Sequence, residues 1–270
     1  MALLEVNQQT CNQCGICADV CVRKIIYFQE NNYPRLLPEI SCLRCGHCVA
    51  ACPTDSLVHG EMPLAQCPQI DPSLEVNFEQ CTQLIKGRRS IRSFKSKKVS
   101  AKEIERIIDV ARYAPTGHND QEVQCLGIND SAKLKELSAI GTEFYRWSIK
   151  NNPASAPVLK RTLRRQESGE DVFLHGAPAV VVAFAEKNNP LAAVDCSTAL
   201  AYFDLAARSA GLGCCWGGFF MFGAGAFPPM AAALALPEGY APYGNLMVGY
   251  PKYQYRRIPE RKSPRITYLK

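Results

Sequence analysis

Beyond residue 76 the spacing of apolar and polar positions predicts a succession of regular elements. "NFEQCTQLIKG" (77–87) reads as a short helix ended by Gly87. Ser100 and Glu103 form a capping-box signature, and Ile104, Ile107, Ile108 and Ala111 then share one face of a helix that Pro115 stops. "EVQCLGI" (122–128) and "PAVVVAFA" (178–185) read as strands, the second buried on both faces because it lacks alternation. "LKRTLRRQE" (159–167), with Lys160, Arg161, Arg164 and Arg165, reads as a solvated helix face. "PLAAVDCSTALAYFDLAARSAG" (190–211) predicts a long helix, apolar on most sides, that ends at Gly211. So much apolar surface implies burial in the core or against a second subunit. "NLMVGY" (245–250) is a further strand. Helices alternate with strands, so the class is mixed α and β.

From Ser209 to Leu236 no residue is charged, a run long enough to span a bilayer. Its many glycines and the Pro228–Pro229 pair would make a poor lipid-facing helix, so a buried, loop-rich core is the expectation. No basic, signal-like stretch follows Met1, which predicts a cytoplasmic protein without a membrane partner. With 270 residues, 47% of them hydrophobic, the chain can build one large domain or two modest ones. Fourteen cysteines in a reducing compartment are ligands, catalytic thiols or packing residues before they are disulfides.

Eight of these cysteines form a pattern. Cys11, Cys14, Cys17 and Cys21 follow C-x2-C-x2-C-x3-C, and Cys42, Cys45, Cys48 and Cys52 repeat it 31 residues later. Gly15 maps onto Gly46 and Ile26 onto Leu57, so a small unit is duplicated. Two-residue gaps let three thiolates converge on a tight turn, and a cubane needs a fourth. Zinc sites use two pairs separated by a longer loop, which this is not. The run resembles that of two-cluster bacterial ferredoxins, in which the fourth cysteine ligates the other cluster. The resemblance covers residues 1 to about 60 and implies one [4Fe-4S] on Cys11, Cys14, Cys17 and Cys52, and a second on Cys42, Cys45, Cys48 and Cys21. The proline that follows the fourth cysteine is Pro53 in one copy but Val22 in the other. His47, inside the second motif, would tune or shield its cluster.

Residues 1–62 form this ferredoxin-type domain and carry four Lys/Arg against six Asp/Glu, a net −2. The rest has 27 against 19, so the overall +6 resides in the body. Residues 63–79, with Pro63, Pro68 and Pro72, read as a semi-rigid linker. Cys67 and Cys81 beside it have no ligand spacing and read as packing residues.

The body, residues 80–270, opens with a basic run: Arg88, Arg89, Arg92, Lys95, Lys97 and Lys98. Aromatic interleaving and nucleic-acid motifs are missing, so a phosphate clamp is expected rather than a nucleic-acid partner. Neither Gly211-Leu212-Gly213 nor Gly223-Ala224-Gly225 completes a dinucleotide fingerprint. A nucleotide gripped by arginines points toward a mononucleotide such as FMN.

Four blocks in order, "RRSIRSF" (88–94), "APTGHNDQ" (114–121), "GLGCCWGGF" (211–219) and "PEGYAPYGNLMVGYP" (237–251), make the body similar to the nitroreductase family of FMN-dependent oxidoreductases. The resemblance implies an α+β fold, a mixed sheet surrounded by helices, and a homodimer with FMN at each interface. Carried over by position, Arg88, Arg89 and Ser90 would bind the phosphate and ribityl chain, and Arg92 would lie near flavin N1 and O2. Pro115, Thr116, Gly117 and Asn119 would reach the flavin from the partner subunit. Cys215, Trp216, Gly217 and Gly218 would lie beside the ring, and Arg257 with Arg256 would supply a C-terminal phosphate contact. The pattern departs at Glu122 and Val123, where the family has proline and an aromatic residue. Cys214 and Cys215 read as small buried residues, since nothing charged in sequence activates them. His118 is a candidate proton donor to substrate.

Together these features predict an enzyme in which two clusters relay electrons to or from FMN. The acceptor would be a small organic molecule (a nitroaromatic, quinone or activated alkene), and the donor ferredoxin, flavodoxin or NAD(P)H. The alternative is a non-enzymatic iron–sulfur electron carrier or redox sensor.

Overall fold

A computed structural model of the chain describes residues 3–28, 33–37, 42–152, 154 and 156–269. The chain divides into two compact units, residues 1–75 with 118–120, and residues 76–117 with 121–270.

In the first unit, β1 (Leu4–Val6) pairs antiparallel with β4 (Leu57–His59), and β2 (Ile26–Tyr27) with β3 (Arg35–Leu36). Two one-turn helices, α1 (Ile16–Asp19) and α2 (His47–Ala50), lie 31 residues apart, as the cysteine motifs do. The backbone repeats as well. Positive φ angles recur at Gln13 and Arg44, at Gly15 and Gly46, and at Lys24 and Asp55. Gly15 and Gly46 stand immediately before α1 and α2 with φ of 80° and 72°, a left-handed turn that glycine enters without steric cost. Cys17, Ile26, Val49 and Leu57 make a small buried core. The segment read as a linker contains two 3-10 turns, Leu64–Gln66 and Pro72–Leu74.

The second unit is built on a four-stranded antiparallel sheet in the order β5-β6-β8-β7, from β5 (Gln124–Ile128), β6 (Ala179–Glu186), β7 (Gly213–Trp216) and β8 (Tyr240–Gly249). All of β6 except Glu186 is buried, as its unbroken apolar run requires. Helices α4 (Ala101–Ala111) and α7 (Ala192–Ser209) cover one face, where Ile104, Ile107, Leu200 and Phe203 meet Val181, Leu246 and Val248. Helices α5 (Ser131–Asn151), α8 (Gly218–Ala226) and α9 (Pro228–Leu234) cover the other, where Leu137, Phe144, Phe220 and Met230 meet Val180, Val182 and Met247. The remaining helices are α3 (Phe78–Gly87) and α6 (Ala156–Glu167). The expected cap of α4 forms: Ser100 accepts the Glu103 N–H while the Glu103 carboxylate accepts the Ser100 N–H; Asn77 and Gln80 make a second capping box, for α3, that the sequence reading had not marked.

Two features correct the reading of the sequence. The 21-residue α5 has no counterpart in it. The uncharged stretch is not a loop-rich core: it supplies β7, α8 and α9, and leaves Phe222 67% exposed. Among the described residues no helix is long and apolar enough to cross a membrane.

Candidate functional sites

The first unit sorts its eight motif cysteines into two cavities. One is lined by Cys11, Cys14, Cys17 and Cys52. The other is lined by Cys21, Cys42, Cys45 and Cys48. Each cavity takes three cysteines from one copy of the motif and the fourth from the other. Among the described residues no three His, Cys, Asp or Glu side chains converge closely enough to hold a single metal ion. Four cysteine sulfurs lining each cavity are a donor set of the kind a four-iron cluster takes.

The surroundings of the sulfurs differ. At Cys52 burial favours the neutral thiol, but the N–H groups of Thr54, Ser56 and Leu57 and the Thr54 hydroxyl outweigh it and lower the pKa. The Ser56 N–H lies 3.3 Å from that sulfur. Burial instead pushes the Cys48 thiol up to about 11 and raises that of Cys17, so ligand binding must work against their protonation. Two histidines face the second cavity. His47 Nδ1 lies 2.9 Å from Cys45 Sγ, on an exposed residue. His59, almost fully buried, places Nε2 4.0 Å from Cys42 Sγ. Burial lowers the His59 pKa.

In the second unit, residues 88–95 are strapped between β7 and the end of β8. Ile91 N–H donates to Cys214 C=O at 2.9 Å, Lys252 N–H to Ser93 C=O at 2.9 Å, and Lys95 N–H to Tyr250 C=O at 2.8 Å. Gly213 is required at this seam, because a Cβ there would stand 2.4 Å from the Ile91 side chain and 2.9 Å from the Pro251 ring. An open basic groove results, lined by Arg88, Arg89, Lys95, Arg208 and Lys252. Arg88 is committed inside it, its Nη1 meeting the buried Asp204 carboxylate at 3.3 Å. Burial raises the Asp204 pKa and Arg88 opposes the rise. Arg89 is different. Its Nη1 donates to the Arg88 carbonyl at 2.7 Å, but Nε and Nη2 are buried without a partner among the described residues. Two orphaned guanidinium donors in a basic groove fit a phosphate.

Beside this groove the Cys215 sulfur neighbours the Ser90 hydroxyl and the Arg92 guanidinium. His175, which sequence reasoning missed, also feels Arg92, and burial lowers its pKa. Cys214 and Cys215 are each about 1% exposed and project to opposite faces of β7, one into each half of the core. Burial raises both thiol pKa values, so they are packing residues at neutral pH. Trp216 is 40% exposed at the end of β7. Gly217 backs onto Asn245: a Cβ would lie 2.5 Å from Nδ2 of that fully buried amide, neither of whose polar side-chain atoms has a partner among the described residues. Asn245 lies inside the block 237–251 but had been given no role of its own.

The segment 114–117 is tied elsewhere. Gly117 N–H donates to both Asp195 carboxylate oxygens, at 3.2 and 3.3 Å, in the first turn of α7, and Thr116 Oγ1 accepts the Gln121 N–H. Pro115 is exposed. Asn119 belongs to the first unit, where its Nδ2 donates to the Leu43 and Arg44 carbonyls. His118 is exposed and makes no hydrogen bond among the described residues, so none of these orients it as an acid. Arg256 and Arg257 lie on the exposed segment 252–269; the groove takes Gln254 and Tyr255 but not these two side chains.

Comparison with known proteins agrees with this architecture. The nitroreductase-family profile matches residues 85–250, and that of a 4Fe-4S dicluster domain matches residues 3–53. A nitroreductase of Bacteroides fragilis solved with bound FMN superimposes with a TM-score of 0.59 at 25% identity, covering 72% of this chain and all of that one. A protein of Archaeoglobus fulgidus, provisionally named NADH dehydrogenase/NAD(P)H nitroreductase, is 26% identical over 65% of this chain and 87% of its own length. An FMN reductase (NADPH) of Bacillus subtilis is 26% identical over 63% of this chain and 65% of its own. The chain belongs to the nitroreductase family of oxidoreductases, with the nitroreductase fold preceded by a ferredoxin-like module.

Proposed function

We propose that the chain is an FMN-dependent oxidoreductase whose first unit carries two [4Fe-4S] clusters that relay electrons to or from the flavin. The reading rests above all on the sorting of eight cysteines, four and four, into two cavities of a chain whose body is a nitroreductase. Cys11, Cys14, Cys17 and Cys52 hold one cluster as thiolates, and Cys21, Cys42, Cys45 and Cys48 the other. Arg89 grips the FMN phosphate through Nε and Nη2, while Arg88, held by Asp204, fixes the wall of the groove. Ser90 and Arg92 offer a hydroxyl and a cation along the flavin, and Gly217 and Gly218, next to Cys215 and Trp216, give it a backbone edge of low bulk. In a homodimer, Pro115, Thr116, Gly117 and Asn119 serve the partner's flavin, and Arg256 and Arg257 reach a phosphate on the exposed tail. When bound, FMN exchanges two-electron for one-electron chemistry and the clusters carry single electrons.

The acceptor is a small organic molecule of nitroaromatic, quinone or activated-alkene type. The donor is NAD(P)H, the cofactor in the names of two relatives, or a reduced ferredoxin or flavodoxin. Anaerobic reconstitution tests the reading. About eight irons per chain, as two four-iron clusters need, together with FMN released on denaturation, is the expected result. Eight irons without flavin would leave an electron carrier or redox sensor, and fewer irons would remove the relay.

A further inference from the structure

The duplication of the first unit supplies an internal control for one residue. Cys42 and Cys11 are equivalent at the 31-residue offset, and so are His59 and Phe28. Phe28 lines the cavity of Cys11, and His59 lines that of Cys42. The same position in the fold thus offers a phenyl ring to one cavity and an imidazole to the other.

The His59 tautomer follows from its neighbours. The Glu61 N–H donates to Nδ1 at 3.2 Å, so that nitrogen carries the lone pair and the proton sits on Nε2. Nε2 faces Cys42 Sγ at 4.0 Å. His59 is 2% exposed, and an N–H···S contact removed from water acts in a low dielectric. His47 also has a nitrogen at a ligand sulfur, and its equivalent is Ile16, but that histidine is exposed and water screens it. The Arg44 N–H on Cys42 Sγ, at 3.4 Å, is backbone and does not depend on side-chain identity.

We propose that His59 is a positioning residue for the second cluster: acting through Cys42, its Nε2–H stabilises the electron added to the cluster on Cys21, Cys42, Cys45 and Cys48, and so raises its reduction potential above the value a phenyl group would leave. This rests on the reading that both cavities hold [4Fe-4S]. Each reduction takes one electron, from [4Fe-4S]2+ to [4Fe-4S]+, and no bond forms or breaks. Hydrogen bonds to cluster sulfurs favour the reduced, more negative form.

The test is a dithionite titration of the anaerobically reconstituted full-length protein, followed by electron paramagnetic resonance, on the wild type and on H59F and F28H. Two one-electron steps are expected. In H59F one step should become about tenfold less favourable, ~59 mV more negative for one electron, while the other stays in place. In F28H the other step should move positive. Eight irons in H59F with both steps unmoved would overturn the inference and leave the cluster reading intact. Fewer than eight irons in the wild type would overturn the cluster reading and this inference with it. If H59F itself sheds iron, F28H decides: eight irons with neither step moved overturns the proposal.

Discussion

Arg88 and Arg89 are adjacent and chemically identical, yet the fold gives them different work. Arg88 is spent on Asp204, which comes from α7, 116 residues away. Arg89 keeps two buried donors free. Sequence pattern led to the expectation of a phosphate clamp at this pair but had no means of dividing the roles, because nothing local in sequence singles out Asp204 as the partner of Arg88. The division makes a prediction. Arg89→Ala should weaken FMN binding by roughly 10- to 100-fold, the worth of one or two charge-assisted hydrogen bonds. Arg88→Ala should instead strand a buried carboxylate and lower the melting temperature more than Arg89→Ala does. Flavin fluorescence titration and thermal unfolding of the two variants separate these outcomes, and equal loss of FMN with equal stability would contradict the assignment. Cys214 and Cys215 are the opposite case. Strand alternation alone sends adjacent thiols into opposite halves of the core, and burial keeps both protonated.

Helix α4 was legible because its signals are local. The cap, the apolar stripe and the stop lie within sixteen residues, and Ser100→Ala should cost about 1 kcal/mol in a denaturant titration. Helix α5 was not legible, and its buried face explains why. Leu134, Leu137, Ser138, Gly141, Phe144, Tyr145 and Ser148 are spaced as an amphipathic helix demands, but three of the seven are not apolar. The fold needs them small or polar: Ser138 donates to Asp171 at 2.7 Å, and the Phe173 ring occupies the space where Gly141 would carry a Cβ. That Cβ would come within 2.3 Å of the ring, so Gly141→Ala should destabilise the protein by about 1–3 kcal/mol through overpacking, with iron content unchanged. Full stability of this variant would mean that the α5–Phe173 contact is looser than described. The α8–α9 region misled for the reverse reason. Glycine and proline suggest loops, but Pro228 and Pro229 sit at the first turn of α9, where a missing N–H costs nothing.

At the scale of the whole molecule, the cysteine rhythm was the most legible feature, because ligand spacing is a covalent constraint that needs no tertiary information. The assembly is written less directly. Leu191, just before α7, and Val194 and Tyr202 along it are exposed, and residues 252–269 form an exposed tail bearing Tyr253, Tyr255, Ile258 and Ile266. Such apolar surface is what a homodimer would cover, and light scattering should then return about twice the 29.8 kDa chain mass. The relay itself is tested by cutting it at one end. Cys14 is the most exposed of the ligands proposed for the first cluster and contributes nothing to the buried core, so Cys14→Ser should remove that cluster without unfolding the unit. FMN content should stay at the wild-type level, since every residue proposed to hold the phosphate lies in the other unit. Stopped-flow reduction of the flavin by a one-electron donor should then slow at least tenfold. Reduction by NAD(P)H, where a hydride enters the flavin directly, should keep its rate. If both donors reduce the variant as fast as the wild type, electrons do not pass through the first cluster, and the two halves of the chain do not form one circuit.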